Sequence, residues 1–337
     1  MELTRRQVLA LIVAVPAAGT ISACAVPRTP HTTPDAPVST TATRPGDVPS
    51  RHKSTNMQQQ QGLSGVWTPS ANEVLPDIKR TAADFLETAG TWSTVTDPLS
   101  RVGLVPELVA AAAILQPSDA IAGSLRVLYP QYGGIATYDA AVIALFDQQL
   151  TYSTESVNRQ MALDVRLARH GGGVWQVRQI KALTSLGEQQ TITGSALAVI
   201  DNPSIILSAP ARDDVGTGRV DETLLRVLTG LGEEFTFGIQ VMHTGHIQTV
   251  FPTSKVSNHA VGRAADVREI NGVRIVDYSV TSPVLTEFML RASELGATEV
   301  GGPIDLNGDR AGFFSDDVHR DHIHLGVTPG DLPAQLR

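Results

Sequence analysis

Histidine is concentrated in one part of this sequence. Six of the nine histidines lie between residues 243 and 324, and an aspartate, Asp266, stands among them. The six are His243, His246, His259, His319, His322 and His324. A catalytic zinc ion takes three protein ligands and leaves a fourth position for water, and histidines with one aspartate are a chemically suitable set. The pattern therefore indicates a metal site that could activate water.

The His-x-His pair at 322–324 has the spacing of a strand. Residues two apart on a strand project from the same face, so His322 and His324 would point together while Ile323 faces the opposite way. Asp321 would face away on an ideal strand, and it could turn inward only where the strand begins after it. The histidine pair is therefore suited to a shared site, and Asp321 is less so.

His259 and Asp266 need a break in the chain to act together. They are seven residues apart, and an odd separation places two side chains on opposite faces of a straight strand. Gly262 lies between them and offers the backbone freedom to turn both side chains toward one point. The spacing permits a shared site without establishing one.

The segment SNHAVGRAADV, residues 257–267, resembles a known signature. It is similar to Ser-x-His-x-x-Gly-x-Ala-x-Asp, the first signature of the zinc D-alanyl-D-alanine carboxypeptidases and dipeptidases of bacterial cell walls. The segment DHIH, residues 321–324, resembles the His-x-His form of the second signature. The resemblance implies one zinc ion, a peptidase activity on peptidoglycan and a domain with a central antiparallel sheet.

The resemblance also implies roles for individual residues. His259, Asp266 and His324 are expected to bind the zinc ion. Ser257 is expected to contact the substrate, although Ser257 and Asp266 could instead form a local turn.

Two residues compete for the role of the proton-handling group. Asp321 occupies the position where other members of the group keep a general-base glutamate, but aspartate is one methylene shorter and the strand geometry disfavours it. His322 is therefore the favoured catalytic imidazole, either stabilising the intermediate or moving the proton, and Asp321 is the second candidate. His319 could support the site or lie exposed.

One feature of the group is missing from this sequence. Its members usually carry an arginine in a turn upstream of the first signature, which pairs with the terminal carboxylate of the substrate. The corresponding segment here is HTGHIQ, residues 243–248, which contains His246 and no arginine. Arg212 or Arg310 could substitute, or the enzyme cuts within a peptide and needs no such anchor. His246 is a candidate substrate-binding group or a structural histidine.

The first 24 residues are typical of an export signal. A twin arginine, Arg5 and Arg6, precedes a short apolar run that ends in ISAC, which resembles the bacterial lipoprotein box. Cys24, the one cysteine of the chain, would carry the lipid that anchors the protein to the outer face of the cell membrane. A cleaved secretory signal with a chance cysteine is the alternative. A single cysteine also excludes an intrachain disulfide and a cysteine-rich zinc site.

Composition separates a tether from the folded part of the chain. Residues 25–70 hold seven prolines and eight threonines and too few apolar residues for a core, which predicts a disordered tether. The net charge of the chain is −8, and no concentrated basic segment is visible. Nucleic acid is therefore not expected as a partner.

Two α+β domains are expected after the tether. Residues 72–184 combine an amphipathic helix with a hairpin of strands and resemble the cystatin-like cone of nuclear-transport-factor-like domains, which occur as accessory modules in actinobacterial envelope lipoproteins. Such a cone could hold a ligand, but a spacer or a docking site for an envelope protein is favoured. Residues 196–337 mix helices and strands without strict alternation, which predicts an α+β domain that carries the zinc-peptidase signatures.

The expected function is that of an extracytoplasmic zinc metallopeptidase, a carboxypeptidase or an endopeptidase, that hydrolyses amide bonds of peptidoglycan stem peptides and is anchored through Cys24. The missing arginine and the missing general-base glutamate motivate an alternative, a wall-binding or scaffold lipoprotein that keeps the fold without turnover. A carrier of a soluble ligand, built on residues 72–184, is a third interpretation and requires a sizeable apolar cavity there.

Overall fold

The computed structural model describes residues 67–93, 108, 113–182, 185–308 and 310–335. All of these residues belong to one compact unit. The predicted export signal, the lipidation site Cys24 and the tether up to residue 66 lie outside the described residues. None of the described helices is long and apolar enough to cross a membrane.

A helix and a five-stranded antiparallel sheet form the first half of the described chain. The helix, α1 (Pro76–Gly90), has a proline in its first turn. The strands pair in sequence order: β1 (Trp92–Ser93), β2 (Ala122–Ile135), β3 (Asp139–Thr151), β4 (Ser156–Ala168) and β5 (Gln176–Lys181). The apolar stripe of α1, which includes Ile78, Phe85 and Leu86, packs on this sheet and forms its core.

A second, seven-stranded sheet follows, with helices packed on it. The helices are α2 (Gly194–Asp201), α3 (Ala209–Gly216), α4 (Glu222–Leu231) and α5 (Pro283–Glu294). The strands are β6 (Ile205–Leu207), β7 (Phe237–Val241), β8 (Ala264–Ile270), β9 (Val273–Arg274), β10 (Glu299–Gly301), β11 (Phe313–Phe314) and β12 (Ile323–Gly326). Their order is β11-β10-β12-β8-β7-β6, with β9 paired to β8. The central pairs are antiparallel and the two end pairs are parallel, so the predicted α+β class is confirmed.

The alternation of side chains along β8 and β12 separates the core from the site. The apolar core under the helices takes one face of these strands, namely Ala265, Val267, Ile323 and Leu325. The residues between them, Asp266 and His324, project from the opposite face because successive side chains on a strand alternate. In the antiparallel register Asp266 lies directly opposite His324.

That opposite face meets the first sheet. A small buried cluster contains residues of β2, β3, β4 and β7, namely Leu128, Ile143, Leu145, Ala162 and Val241. The side-chain Nε2 of Gln240 donates to the carbonyl oxygens of Tyr129 and Ile143, each 3.0 Å away. Asp266 faces this boundary as well, because Gln131 of β2 donates to its carboxylate. The two sheets therefore share a buried boundary that includes one of the predicted metal ligands.

Candidate metal centre

Three atoms of the kind that bind metals converge where the two sheets meet. Nε2 of His259 lies 3.1 Å from Oδ1 of Asp266 and 3.1 Å from Nδ1 of His324. The atoms of His324 and Asp266 are themselves 3.2 Å apart. Ligand atoms that are about 2.0–2.1 Å from one tetrahedral ion lie about 3.3 Å from each other. The triangle therefore has the size for a single ion of that kind, and all three residues are buried.

A short 3₁₀ helix delivers His259 to this point. The helix spans Asn258–Val261, and Oγ of Ser257 caps it by accepting a 3.2 Å hydrogen bond from the N–H of His259. Gly262 ends the helix with a φ of 72°, a left-handed conformation that glycine adopts without strain. A Cβ at this position would lie 2.9 Å from the carbonyl oxygen of Arg219. Gly262 therefore makes the break that turns the chain between His259 and β8.

Contacts behind the two histidines leave lone pairs that face the centre. Nδ1 of His259 donates to the carbonyl oxygen of Met242, so Nε2 carries the lone pair of the neutral ring. Nε2 of His324 lies 3.7 Å from Oε2 of Glu299, which favours Nδ1 as the free nitrogen. Such outer contacts fix the tautomer and the orientation of metal-binding histidines. Once both rings are neutral, the three converging atoms are all acceptors, and a cation would satisfy them.

A third histidine lies beside the triangle. The ring of His246 stacks on the ring of His259, with centroids 3.7 Å apart and planes at 13°. Nδ1 of His246 donates to the carbonyl oxygen of Ile247 at 2.7 Å, and Nε2 lies 3.5 Å from Oδ2 of Asp266. His246, His259 and Asp266 form a group that could hold a metal ion. With His324, four residues therefore compete for three ligand positions.

The two ligand sets differ in how well their atoms fit one ion. The set with His324 uses Oδ1 of Asp266, and its edges measure 3.1–3.2 Å. The set with His246 meets Oδ2 of Asp266 at 3.5 Å, and this oxygen already accepts a 2.6 Å hydrogen bond from Gln131. His324 is therefore the better third ligand, and His246 flanks the site.

His322 and Asp321 form a pair at the rim of the triangle. Nδ1 of His322 donates to Oδ1 of Asp321 at 2.6 Å, and Nε2 lies 4.0 Å from Oδ1 of Asp266. Both residues precede β12, and Oδ2 of Asp321 contacts Nζ of Lys79 at 2.6 Å and the N–H of Tyr132 at 2.9 Å. Both oxygens of Asp321 are thus engaged behind His322. The imidazole, rather than the carboxylate, faces the centre.

Burial and charge together set the protonation of the ligands. Burial by itself raises the pKa of Asp266, but the charges of His259 and His322 and hydrogen bonds within the cluster hold it well below its usual value. Burial by itself lowers the pKa of His324, but hydrogen bonds to Asp266 and Glu299 raise it to about 9. Asp266 is therefore an anionic candidate ligand, and a metal ion that binds Nδ1 of His324 would displace a proton.

The pKa values of two neighbours of the triangle, His246 and Asp321, are shifted as well. Burial lowers the pKa of His246 well below its usual value, and the nearby His259 adds to this effect. Burial raises the pKa of Asp321, but Lys79 and His322 outweigh it, so the pKa is lowered. His246 is therefore a neutral ring, and Asp321 is an anion that can orient His322.

The cluster opens into a cleft of about 560 Å³, within the range of small-molecule and peptide sites. His246, His259 and His324 line it together with residues of both halves of the chain. The apolar wall includes Gly133, Gly134, Val250, Phe251, Val256 and Phe314. The charged residues that line it are Lys255, Glu299, Asp316 and Asp331.

Ser257 and His319, two further residues from the sequence analysis, also line the cleft. The hydroxyl of Ser257 is used as the cap of the 3₁₀ helix, and its contact with a substrate stays a prediction. Nδ1 of His319 lies 2.7 Å from Oδ1 of Asp316. His243 lies behind the centre, with Nδ1 3.0 Å from the carbonyl oxygen of His259. Ser257, His319 and His243 thus surround the triangle without contributing an atom to it.

Residues of the first half of the chain support the site, and none of them lies in the motifs that the sequence shows at 243–324. Lys79, Tyr129 and Tyr132 contact Asp321, Gln131 contacts Asp266, and Glu73 contacts Lys79. One signal is present in the sequence, because Lys79 lies on the apolar face of α1 with Ala82 and Leu86, where lysine is rarely buried unless it is paired. Gln131 gives no such signal, since its partner Asp266 is 135 residues away in the sequence.

No family model, curated protein or solved structure matches this chain. The chemistry of the centre is therefore inferred from its donor atoms, their distances and their burial. Two imidazoles and one carboxylate beside an open cleft are a donor set typical of a catalytic zinc ion rather than a structural one.

Proposed function

We propose that the protein is a zinc-dependent peptidase that acts on peptidoglycan stem peptides outside the cytoplasmic membrane. The observation that carries this proposal is the triangle of His259, Asp266 and His324, with edges of 3.1–3.2 Å beside an accessible cleft. The same three residues are the zinc ligands implied by the resemblance of residues 257–267 and 321–324 to the carboxypeptidase signatures. Geometry and signature support the same donor set.

The residues of the centre have distinct tasks in this chemistry. A bound zinc ion would supply Lewis acidity and a water of lowered pKa. Asp266, buried and ionised, contributes the negative charge of the donor set. Nε2 of His322, 4.0 Å from Oδ1 of Asp266, is placed to accept a proton from the attacking water or to deliver one to the leaving amine. The hydrogen bond to Asp321 holds the tautomer that leaves this nitrogen free.

The proposed location follows from the first part of the sequence. An export signal that ends at a lipidated Cys24, followed by the tether of residues 25–70, would hold the catalytic unit outside the membrane and within reach of the cell wall. Cys24→Ser should abolish labelling by a fatty-acid analogue and move the protein out of the membrane fraction. Retention of the label would contradict lipidation at this residue.

Digestion of purified sacculi tests the proposed activity. The protein should release new muropeptides, detected by mass spectrometry, and His259→Ala or His324→Ala should abolish both this release and zinc binding. His170→Ala is a matched control, because His170 is an exposed histidine in the turn between β4 and β5. Cleavage that persists in His259→Ala and His324→Ala would show that the metal mechanism is wrong.

A wall-binding or scaffold lipoprotein without turnover is the second candidate function. It is favoured by one observation, that no arginine occurs among the described residues that line the cleft. Stem peptides would then bind and remain uncut, so the same digestion would yield intact peptide bound to the protein. Zinc content alone does not separate the two functions, because a binding module could keep the ion.

A further inference from the structure

The candidate metal centre is supported from behind by α1 and β2, in the half of the chain that carries no metal ligand. We propose that Gln131 and Lys79 are positioning residues of this centre. Gln131 orients the carboxylate of Asp266, and Lys79 orients His322 through Asp321. This inference deepens the proposed function. The role of Lys79 rests on that function because it is measured through cleavage, whereas the role of Gln131 is measured through zinc binding alone.

Gln131 holds the metal-binding carboxylate through the oxygen that faces away from the triangle. Its Nε2 donates to Oδ2 of Asp266 at 2.6 Å, and its side chain is fully buried in β2. This bond occupies Oδ2 and leaves Oδ1 to meet His259 and His324. Among the described residues, Oε1 of Gln131 has no hydrogen-bond partner, so the amide is directed at Asp266 alone. A hydrogen bond of this kind fixes how a ligating carboxylate presents itself to an ion.

Lys79 is fully buried in α1 and joins two carboxylates. Its Nζ lies 2.5 Å from Oε2 of Glu73 and 2.6 Å from Oδ2 of Asp321, and it sits 4.2 Å from the ring centroid of Tyr132. The other oxygen of Asp321 accepts a 2.6 Å hydrogen bond from Nδ1 of His322. A continuous series of polar contacts thus runs from α1 to the imidazole proposed to move protons.

Two tyrosines of β2 fix the same aspartate. The N–H of Tyr132 donates to Oδ2 of Asp321 at 2.9 Å, and the hydroxyl of Tyr129 donates to its carbonyl oxygen at 2.5 Å. Together with Lys79, these groups hold both the side chain and the backbone of Asp321. The direction of His322 therefore depends on α1 and β2 rather than on its own segment alone.

Core packing alone does not explain these two side chains. A charged group loses its hydration on burial, and an apolar residue of similar volume often stabilises a core at least as well as a buried ion pair. Lys79 and Gln131 are nevertheless both fully buried, and both contact groups that carry the proposed chemistry. Their placement fits orientation of the site better than filling of the core.

Zinc affinity, measured without any substrate, tests Gln131. Gln131→Met keeps the length of the side chain but removes the donor, and it should weaken zinc binding about 10–100-fold in competition with a chelator. Gln148→Met is a matched control, because Gln148 is a buried glutamine of β3 whose Nε2 donates to the carbonyl oxygens of Gly90 and Leu115, not to the centre. This control should bind zinc as tightly as the wild type.

Two readouts separate a change of orientation from a loss of fold. Thermal unfolding of the metal-free variants reports folding, and the visible absorption of the cobalt-substituted protein reports the arrangement of the ligands. The spectrum should change in Gln131→Met and not in Gln148→Met. If Gln131→Met does not fold, Gln131→Asn serves the same purpose, because its shorter amide cannot reach Asp266. Wild-type zinc affinity with an unchanged cobalt spectrum in a folded Gln131 variant would overturn the assignment.

Cleavage kinetics test Lys79. Lys79→Met should lower kcat about 10–100-fold while KM and zinc affinity stay unchanged, because Lys79 does not itself line the cleft and its ion pairs are with Glu73 and Asp321 rather than with the triangle. Lys79→Gln, which keeps a donor, should recover part of the lost rate. Arg80→Met is the control, since Arg80 is the exposed neighbour on α1. An unchanged kcat in folded Lys79→Met would overturn this half of the inference.

The outcomes distinguish a failure of this inference from a failure of the proposed function. A wild-type protein that binds zinc but cuts no peptide would refute the peptidase and leave the Gln131 measurement valid. A wild-type protein that cuts peptides, while folded Gln131→Met keeps full zinc affinity, would refute the positioning role and leave the peptidase intact.

Discussion

His324 lies directly opposite Asp266 in the antiparallel pair of β12 and β8, and their ligand atoms approach to 3.2 Å. Directly opposed residues in such a pair have neighbouring Cβ atoms, so strand register alone brings an imidazole and a carboxylate together. His259 joins them from the short helix before β8, at 3.1 Å from each. Sheet pairing therefore sets two of the proposed ligand positions, and a local turn sets the third.

This arrangement predicts opposite outcomes for two neighbouring histidines. His324→Ala should abolish stoichiometric zinc binding, because it removes a corner of the triangle. His246→Ala should keep a single zinc ion per chain, with an affinity reduced at most about tenfold, because His246 only flanks the triangle. Elemental analysis of the purified variants measures both outcomes and identifies the metal. Loss of the ion in His246→Ala, with retention in His324→Ala, would reverse the assignment.

His322 should matter for rate and not for metal binding. His322→Ala should lower kcat about 10²–10⁴-fold, the usual contribution of a positioned acid or base, and should retain zinc. His319→Ala is the matched control, because His319 lines the cleft with its ring centroid 4.9 Å from that of His322. Steady-state kinetics on a stem peptide with parallel zinc analysis checks this. If His322→Ala keeps its rate and Asp321→Asn loses it, Asp321 is the base.

Several elements follow from patterns that are local in the sequence. Apolar side chains recur at helical spacing within residues 76–90, and α1 forms over this range. Leu163, Val165 and Leu167 alternate with other residues, and all three are buried in β4. The spacing of apolar side chains reports which face is buried, and it does so without knowledge of the partner. Such elements are therefore predictable from the sequence alone.

The strands β2 and β3 are not predicted by the same patterns, although β2 is the longest strand among the described residues and β3 is as long as β4. β2 contains Pro130, Gly133 and Gly134, residue types that usually interrupt a strand. Two register shifts in the pairing with β3 accommodate this segment. A Cβ at Gly134 would also lie 2.3 Å from the ring of Phe251. Glycine at 134 thus leaves room for the ring of Phe251, a residue distant in sequence, and a local pattern cannot reveal such a contact.

The residues of the site, like the strands, are predictable from the sequence only where they lie in a local motif. The proposed ligands lie in two short signature-like segments, and the break at Gly262 is visible from the sequence because glycine alone adopts its conformation without strain. Gln131 and Lys79 lie far from those segments, and their approach depends on how the two sheets pack. Sequence patterns thus predict which residues could bind the ion, and tertiary packing determines which residues hold them.

Gly262 should be required for zinc binding as well as for stability. Gly262 and Gly272 have similar positive φ values of 72° and 77°, so alanine at either should cost on the order of 1 kcal/mol. A Cβ at 262 would meet the carbonyl oxygen of Arg219 at 2.9 Å, whereas a Cβ at 272 would meet nothing within 4 Å. Calorimetric titration with zinc should therefore show weaker binding for Gly262→Ala only. Equal affinities in the two variants would contradict this role.

Lys255 should anchor the terminal carboxylate of the substrate. It is the one lysine or arginine among the described residues that line the cleft, and neither Arg212 nor Arg310 lines it. A hydrogen bond to a charged group is worth about 1.5–3 kcal/mol, so Lys255→Met should raise KM at least about tenfold for peptides with a free C-terminus. The same peptides with a C-terminal amide should show no change. Equal effects on both substrates would indicate that the terminal carboxylate is not bound there.

Asp316 should stabilise the fold in a way that depends on pH. Burial raises its pKa, but the hydrogen bond and charge of His319, with two backbone N–H groups, lower the value from 3.8 to about 2. Because the folded pKa is the lower one, the carboxylate contributes stability above pH 3.8 and loses it as the pH falls through about 2. Burial lowers the pKa of His319, so at neutral pH the hydrogen bonds to Asp316, and not the charge of His319, provide this stability. The side chain of Asp316 is 52% exposed, so solvent screening limits the contribution to the order of 1 kcal/mol.

Asp316→Asn should therefore lower the free energy of unfolding by about this amount at neutral pH, and the difference from wild type should be mostly lost near pH 2 and vanish below it. Denaturant unfolding of the metal-free proteins across this pH range measures the difference. Asp119→Asn, at an exposed position in the loop before β2, controls for the loss of one surface charge. A difference that stays constant from neutral pH to pH 2 would mean that Asp316 acts through packing, because a titrating carboxylate must lose its advantage once it is protonated in both states.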